Sequence, residues 1–471
     1  MESTRTDTAE NQAQATSNRS TTPTSTRFRE YIGSSWAERA DALPPAREQA
    51  PFARRRRDAV SRAFTGKRLV VPAGELKQRS NDTDYPFRAH SAFSHLTGWA
   101  SDSEPDSVLV FEPDGDSHRV TLYFRERADR TSSEFYANPS IGEFWIGARP
   151  SLAQVAADLG IETRHIDEFV PGPEDVTVDG ESAADAELTR FVSELRLVKD
   201  EYEIEQLRLA VAATQRGFDD VIADLPRITS VTRGERAVEG VFYTRARLEG
   251  NAVGYDTIAA SGPHACILHW TRNDGPVVPG DLMLVDAGVE LDSLYTADIT
   301  RTLPVSGTFS PVQRQVYEAV REAADAAFAI VRPGIRFREV HAAAMAVIAR
   351  RTAEWGLLPV SAEESLEPEN QFHRRYMVHG TSHHLGIDVH DCAQARREMY
   401  HDGELKAGMV FTIEPGLYFQ PDDLTVPEEF RGIGVRIEDD ILVTENGAEN
   451  LSSAIPRTAD EVEAWIARSR D

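Results

Sequence analysis

From position 187 onward the apolar residues Leu195, Val198, Ile204, Leu207, Val211 and Phe218 recur at helical spacing. That spacing gathers them on one stripe of a helix, and it predicts a long helical connector leading into a second domain. Further helices are predicted at 233–249, 311–331 and 337–355. The second of these opens with Ser310 as N-cap and Pro311 in the first helical position, and it stops at Pro333-Gly334. Between 67 and 169 the pattern differs. Short apolar runs at 69–71, 108–111 and 120–124 alternate with Gly, Pro and Asp, and a helix-like stretch follows at 151–159. This reads as a small α/β domain, joined to the next by the acidic, Gly- and Pro-bearing stretch 171–185. Strand-like segments fall between and after the later helices, an α+β arrangement.

The ends of the chain and its charge narrow the reading. Residues 1–27 are rich in Thr, Ser, Asn and Gln, with too little apolar mass to offset the entropy of ordering, so this tail is expected to be disordered. A short helix is expected between 28 and 49, and the basic run Arg54–Arg57 reads as a solvated helix face. The expected division is an extension at 1–48, a first domain at 49–186 and a second at 187–471, since 471 residues exceed what one core usually organises. A formal charge of −26 repels phosphate backbones and argues against nucleic acid as partner. No window approaches the roughly 18 consecutive apolar residues of a membrane span. Two cysteines, Cys266 and Cys392, both inside motif-bearing segments, point to a reducing cytoplasm.

Candidate chemistry is concentrated in the last 190 residues. In 283–302 two extended runs flank a polar turn, and Asp286 and Asp298 lie symmetrically about Asp292, so a hairpin there would set them opposite each other. In 411–419 the odd positions are apolar and Glu414 shares a face with Thr412 and Tyr418; in 434–443 Val435, Ile437, Ile441 and Val443 point one way, Arg436 and Glu438 the other. Residues 379–391 read HGTSHHLGIDVHD, with His379, His383, His384 and His390 within twelve positions. Four carboxylates converging in one pocket would repel and resist desolvation; two divalent cations offset both penalties. Asp286, Asp298, His383, Glu414 and Glu438 are therefore read as the ligands of a two-metal site. Oxygen donors with one imidazole favour Mn(II), with Co(II) and Zn(II) behind it. Such a pair depresses the pKa of a shared water, and the expected reaction is hydrolysis. His269, in the apolar setting Ile267-Leu268-His269-Trp270, is either a further site residue or a core histidine bonded to backbone.

The segments ILHWTRND (267–274), LVDAGVELDSLYTADITRT (284–302), HGTSHHLGIDVHD, FTIEPGLYF (411–419) and GVRIEDDILV (434–443) together resemble Xaa-Pro aminopeptidase, also called aminopeptidase P. The likeness is close over the second domain and loose over the first. It implies a pita-bread catalytic domain of α+β fold behind a smaller α/β, creatinase-like N-terminal domain. It also implies two divalent metal ions per chain, usually manganese, with Asp286 binding one ion through both oxygens, Asp298 and Glu438 bridging, and His383 and Glu414 completing the shell. His269, His379 and His390 would surround the scissile carbonyl and the proline, and Glu414 would take the proton from a bridging water. Arg436 and Tyr255 would support the metal carboxylates from behind. The implied activity is removal of the residue before a penultimate proline by a bridging hydroxide, on peptide substrates, in a homodimer or homotetramer. A prolidase confined to Xaa-Pro dipeptides and a non-catalytic peptide-binding module of the same fold are the alternatives. One departure stands out: Asp286 and Asp298 are one residue further apart than in the family pattern, and the extra residue is placed at the polar turn.

Overall fold

The computed structural model describes residues 21–23 and 25–469, and most of the tail expected to be disordered lies outside them. The chain forms two compact units, 1–189 and 190–471. In the first, helix α1 (Thr26–Ile32) is capped by Ser25 and places Phe28 and Ile32 beside Phe135 and Tyr136. The short helix expected between 28 and 49 thus lies two residues earlier. Helix α2 (Ala50–Ala63) and helix α3 (Ser91–Thr97) follow. Strands β1 (Leu69–Pro72), β2 (Val108–Asp114), β3 (Ser117–Phe124), β4 (Glu162–His165) and β5 (Val176–Thr177) form one sheet in the order β4-β3-β2-β1-β5. Helix α4 (Leu152–Leu159) has Ser151 and Gln154 as its capping box. β5 pairs in parallel with β1 at Leu69 and Val70, so the stretch expected to be a bare connection adds an edge strand.

The basic run on α2 is only half a solvated face: Arg54 and Arg55 are exposed, whereas Arg56 and Arg57 are buried. Arg56 and Arg57 are each 5% exposed, and they donate to His95 O and Leu96 O at 3.0 and 2.8 Å. The last carbonyls of a helix have no partner within it, and two guanidinium groups satisfy them here at the end of α3.

The unit boundary falls inside helix α5 (Ala183–Leu195), and helix α6 (Glu201–Ala223) begins five residues after it ends. The long connector predicted from periodicity is therefore two helices. The break has two causes. Asp200 and Glu203 form a capping box that starts a new helix, and Lys199 donates its backbone N–H to Gly408 O (2.8 Å).

The second unit repeats one plan twice. Helices α6 and α7 (Gly234–Glu249) pack together and precede strands β6 (Ile258–Ser261), β7 (Leu282–Ala287) and β8 (Ile299–Pro304), an antiparallel sheet in the order β8-β7-β6. Helices α8 (Pro311–Ile330) and α9 (Phe337–Glu354) pack together and precede β9 (Val410–Ile413), β10 (Gly416–Tyr418), β11 (Gly434–Arg436), β12 (Asp439–Thr444) and β13 (Gly447–Asn450). Of these, β9, β12 and β13 make the second sheet, while β10 pairs with β11. One apolar core, including Phe218, Phe242, Tyr317, Phe411 and Phe419, runs through both halves. Helix α10 (Ala459–Arg468) closes it with Trp465.

The halves meet at a short stretch of backbone. Glu438 N–H donates to Thr300 O (3.1 Å) and Thr302 Oγ1–H to Arg436 O (3.0 Å). Arg301, fully buried, reaches Glu438 O (2.7 Å), Asp439 Oδ1 (2.7 Å) and Ile455 O (3.2 Å). Beside this seam a Cβ on Gly288 would lie 1.7 Å from Ala297 O, so only glycine lets β7 and β8 close here. Gly288→Ala should force the strands apart next to Asp286 and Asp298. Overpacking of this kind costs about 1–3 kcal/mol, so calorimetry should record a lower Tm and metal titration a weaker affinity; an unchanged Tm would show that the seam has slack.

Candidate metal centre and substrate cavity

Strand pairing brings the two aspartates together, in a register different from the one expected. Asp286 pairs with Thr300, not with Asp298. The hairpin is centred at Ser293, and its turn over 291–294 is closed by Leu294 N–H to Leu291 O (2.8 Å), with Leu294 at φ 71°. Asp298 sits two residues before Thr300, on the same face of its strand and diagonal to Asp286. Tyr255 spans the diagonal: its hydroxyl lies 2.6 Å from Asp286 Oδ1 and within hydrogen-bonding distance of Asp298 Oδ1.

Both glutamates stand at an interruption of one antiparallel ladder, whose pairing Ile413–Asp439 on one side and Gly416–Arg436 on the other keeps a single register, so that Glu414 faces Glu438. The continuous strands expected over 411–419 and 434–443 are each interrupted at the acid: Glu414 follows β9 and precedes Pro415, and Glu438 separates β11 from β12. Proline has no N–H to give a ladder, so the pairing of β9 with β12 lapses at Pro415 and resumes in the same register as β10 beside β11. The opposite edge of the strand carrying Glu414 is bonded to the histidine segment, Thr412 N–H donating to His383 O (2.9 Å) and Glu414 N–H to Thr381 O (2.9 Å), and Glu438 N–H donates to Thr300 O.

The histidine cluster lies on the irregular segment facing these breaks. His383 Nε2 is 3.1 Å from Asp298 Oδ2 and 3.6 Å from Glu414 Oε1. Its Nδ1 faces its neighbour's carbonyl, His384 O, at 3.2 Å, which orients Nε2 as the ligand atom. Asp298, His383 and Glu438 each present a ligand atom within 4.8 Å of the others. Asp286 is tied to this group through Tyr255, and Glu414 through His383. Arg436 supplies countercharge, pairing with Asp286 Oδ2 and bonding Thr300 Oγ1 (3.1 Å) and Tyr418 Oη (3.1 Å).

Burial sets the protonation of this cluster. It raises Glu438 well above the usual carboxylate range, with the charges of Asp298 and Glu414 adding to it. It also raises Asp298, and it lifts Glu414 to about 7. For His383 burial acts downward, but the bond to Asp298 and the charges of Glu414 and Asp298 outweigh it and carry the imidazole to about 9. A divalent cation among these oxygens reverses the preference for protons, and the donor set, hard oxygens with one oriented imidazole, fits such ions.

The remaining predicted residues line the cavity that opens onto this cluster, about 610 Å³ in volume. His269 is exposed and borders it, which excludes the core-histidine alternative. His390 stacks near His383 at 4.1 Å between ring centres, and burial lowers its pKa. His379 is held neutral by burial and by Arg436, down to about 3. Its Nδ1 is 2.6 Å from Gly380 O and its Nε2 2.8 Å from Tyr418 Oη. His384 takes no part: it is buried and stacked on Phe337 at 4.6 Å.

Several contributors went unread in the sequence. Tyr418 links Arg436 to His379, Thr300 Oγ1 donates to Glu438 Oε2 (2.6 Å), and Thr412 Oγ1 lies 3.4 Å from Glu414 Oε1. Alternation places both Tyr418 and Thr412 on the Glu414 face, a signal that was available. Asp391 gave none. Buried at 1% exposure, it bonds Arg196 Nε (2.8 Å) and Lys199 Nζ (3.2 Å), and its N–H donates to His384 O (2.9 Å), closing the loop that carries His390. Its partners lie about 190 residues away in the chain.

Two helix pairs, two antiparallel sheets and acids at their meeting point define a pita-bread metallopeptidase, and comparison with known proteins gives the family. The sequence profile of metallopeptidase family M24 matches residues 205–445, and that of the aminopeptidase P N-terminal domain matches 52–172. Xaa-Pro aminopeptidase 1 of Streptomyces coelicolor is 52% identical over 93% of this chain and 91% of its own length. Xaa-Pro aminopeptidase of Escherichia coli is 32% identical over 89% and 98%. The solved structure of the E. coli aminopeptidase P in its low-pH form superposes with a TM-score of 0.77 at 30% identity, covering 90% of this chain and all of that one. The chain belongs to metallopeptidase family M24, among the Xaa-Pro aminopeptidases.

Metal loading should be coupled to protons. Glu414 and His383 both hold protons more tightly in the fold than in the unfolded chain, where their ordinary values are 4.5 and 6.5. Their contribution to the stability of the metal-free protein is complete below those values and is lost as pH rises through about 7 and about 9. Mn(II) affinity should accordingly strengthen across the same window, with proton release visible by calorimetry in buffers of different ionisation enthalpy. Affinity independent of pH between 6 and 9 would contradict this.

Proposed function

We propose that the protein removes the N-terminal residue from peptides whose second residue is proline, using two divalent metal ions, manganese first among them. The observation that carries this reading is the convergence of Asp298, His383 and Glu438 within 4.8 Å, flanked by Asp286 and Glu414, at the base of a cavity of about 610 Å³. Proline has no backbone N–H and a fixed φ, so a site for it must recognise a ring in place of a donor. The cavity supplies apolar wall from Ile258, Leu268 and Val389 beside the histidines.

Asp286, Asp298, His383, Glu414 and Glu438 would hold the ions, and bound there the ions would supply Lewis acidity that makes water nucleophilic near neutral pH. Glu414, which lines the cavity beside His383, would take a proton from that water and return it to the leaving proline nitrogen. Arg436 and Tyr255 fix the orientation of Asp286 and Asp298 through the contacts described above. His379, neutral and bonded to Tyr418, offers a hydrogen-bonding edge to the substrate, and His269 and His390 border the cavity where the carbonyl and the proline ring would lie.

The reading extends to the chain's organisation. Residues 49–186 would form the N-terminal domain and 187–471 the catalytic one, behind an extension at 1–48. The protein would work in the cytoplasm as a homodimer or homotetramer. Among the described residues no helix is long and apolar enough to cross a membrane.

Purified protein loaded with Mn(II) should release glycine from Gly-Pro-Pro and leave Gly-Pro intact, as followed by amino-acid analysis. Thorough chelation should abolish turnover and Mn(II) should restore it. Turnover that survives chelation would defeat the metal reading, and preference for Gly-Pro would make the protein a prolidase.

A further inference from the structure

The cavity wall that carries His269 has almost no regular structure of its own. After β6 the chain makes a 3-10 turn (Gly262–Cys266) and an irregular run until β7 begins at Leu282. Along it Ile267 is 45% exposed and His269 is exposed, so neither is fixed by burial. Four of the bonds that hold this segment go to one carboxylate.

Glu235, in the first turn of α7, is fully buried. Its Oε1 accepts Ser261 N–H (2.8 Å) and lies 2.7 Å from His264 Nδ1. Its Oε2 accepts Trp270 Nε1–H (2.9 Å) and Gly275 N–H (2.7 Å). Four donors thus fill the roughly four lone-pair positions of the group. They are distributed in a telling way: Ser261 and His264 precede His269, and Trp270 and Gly275 follow it. The His264 and Trp270 rings stack at 3.9 Å between centres, closing the loop over the carboxylate. There is no room for adjustment, since a Cβ on Gly275 would meet His264 Cε1 at 2.7 Å and Glu235 Oε2 at 2.8 Å. A second clasp lies at Asn273, whose Oδ1 accepts Ala259 N–H (3.0 Å) and whose Nδ2 donates to Thr257 O (2.8 Å).

Neutral side chains of the same size do not reproduce this. Glutamine has one acceptor oxygen and would turn an NH₂ toward two N–H donors, leaving buried groups unsatisfied. We infer that Glu235 is a positioning residue for the cleavage, holding the 261–275 segment so that Leu268 and His269 stand at the cavity edge. The inference rests on the role given to His269 in the proposed function.

A double-mutant cycle on the Mn(II)-loaded enzyme tests it. Glu235→Gln and, separately, Trp270→Phe should lower kcat/KM on Gly-Pro-Pro, the first on the order of a hundredfold and the second on the order of tenfold, as expected for bonds to a charged group. Both should change kcat and KM in the same proportion as His269→Ala does, with bound manganese at the parent level. In a His269→Ala background each substitution should cost several-fold less than in the parent, the remainder being the share carried by Leu268. Trp270 is only partly buried, so its variant carries the test if Glu235→Gln fails to fold. Equal losses in both backgrounds would overturn the inference while leaving His269 in place. Full activity of His269→Ala would instead remove the role of His269, and this inference with it.

Discussion

Four carboxylates buried against one another are the constraint around which the second unit is organised. Left to themselves, Asp286, Asp298, Glu414 and Glu438 repel and lose their hydration, and burial drives Asp298, Glu414 and Glu438 to retain protons. Arg436 and His383 offset part of that charge. The rest of the compensation is a property of bound cations, and so the energetics of the fold and of the chemistry are the same problem.

The backbone solves this geometrically. Each half of the unit contributes a helix pair and an antiparallel sheet, and the halves join where Thr300–Thr302 meets Arg436–Glu438. Close to that seam the ladder between 410–418 and 434–442 is interrupted on both strands at facing positions. Glu414 and Glu438 occupy those two breaks. Threonines then hold the carboxylates at fixed angles, Thr300 on Glu438 and Thr412 on Glu414. Orientation therefore comes from neutral hydroxyls that add no charge to an already crowded site.

A buried ion-pair cluster and a buried carboxylate secure the loops that carry the histidines. Asp391 is held by Arg196 and Lys199 from the break between α5 and α6, and Glu235 gathers the loop of His269 from α7. Removing one partner of such a pair strands the other, at a cost on the order of 3–5 kcal/mol. Loops with little regular structure thereby acquire the rigidity that substrate contacts need, from charges placed on helices behind them.

The sequence by itself determined many of the elements and the segments in which the chemistry-bearing side chains are gathered. Ser310-Pro311 marked the start of α8, and alternation marked Glu414 and Glu438 as turned away from the apolar rows; both are local signals, written within a few residues. Five ordered motifs named the family. The tertiary structure decided what depends on residues far apart in the chain. It moved the hairpin centre from Asp292 to Ser293, so that Asp286 meets Asp298 diagonally, and it broke the connector helix at 196–200, where Asp200 caps a new helix and Arg196 and Lys199 turn toward Asp391. It also buried Arg56 and Arg57 against helix-end carbonyls that no run of basic residues announces. Register, ladder breaks and buried pairing are set by which segments meet, and a one-dimensional pattern carries periodicity but not encounters.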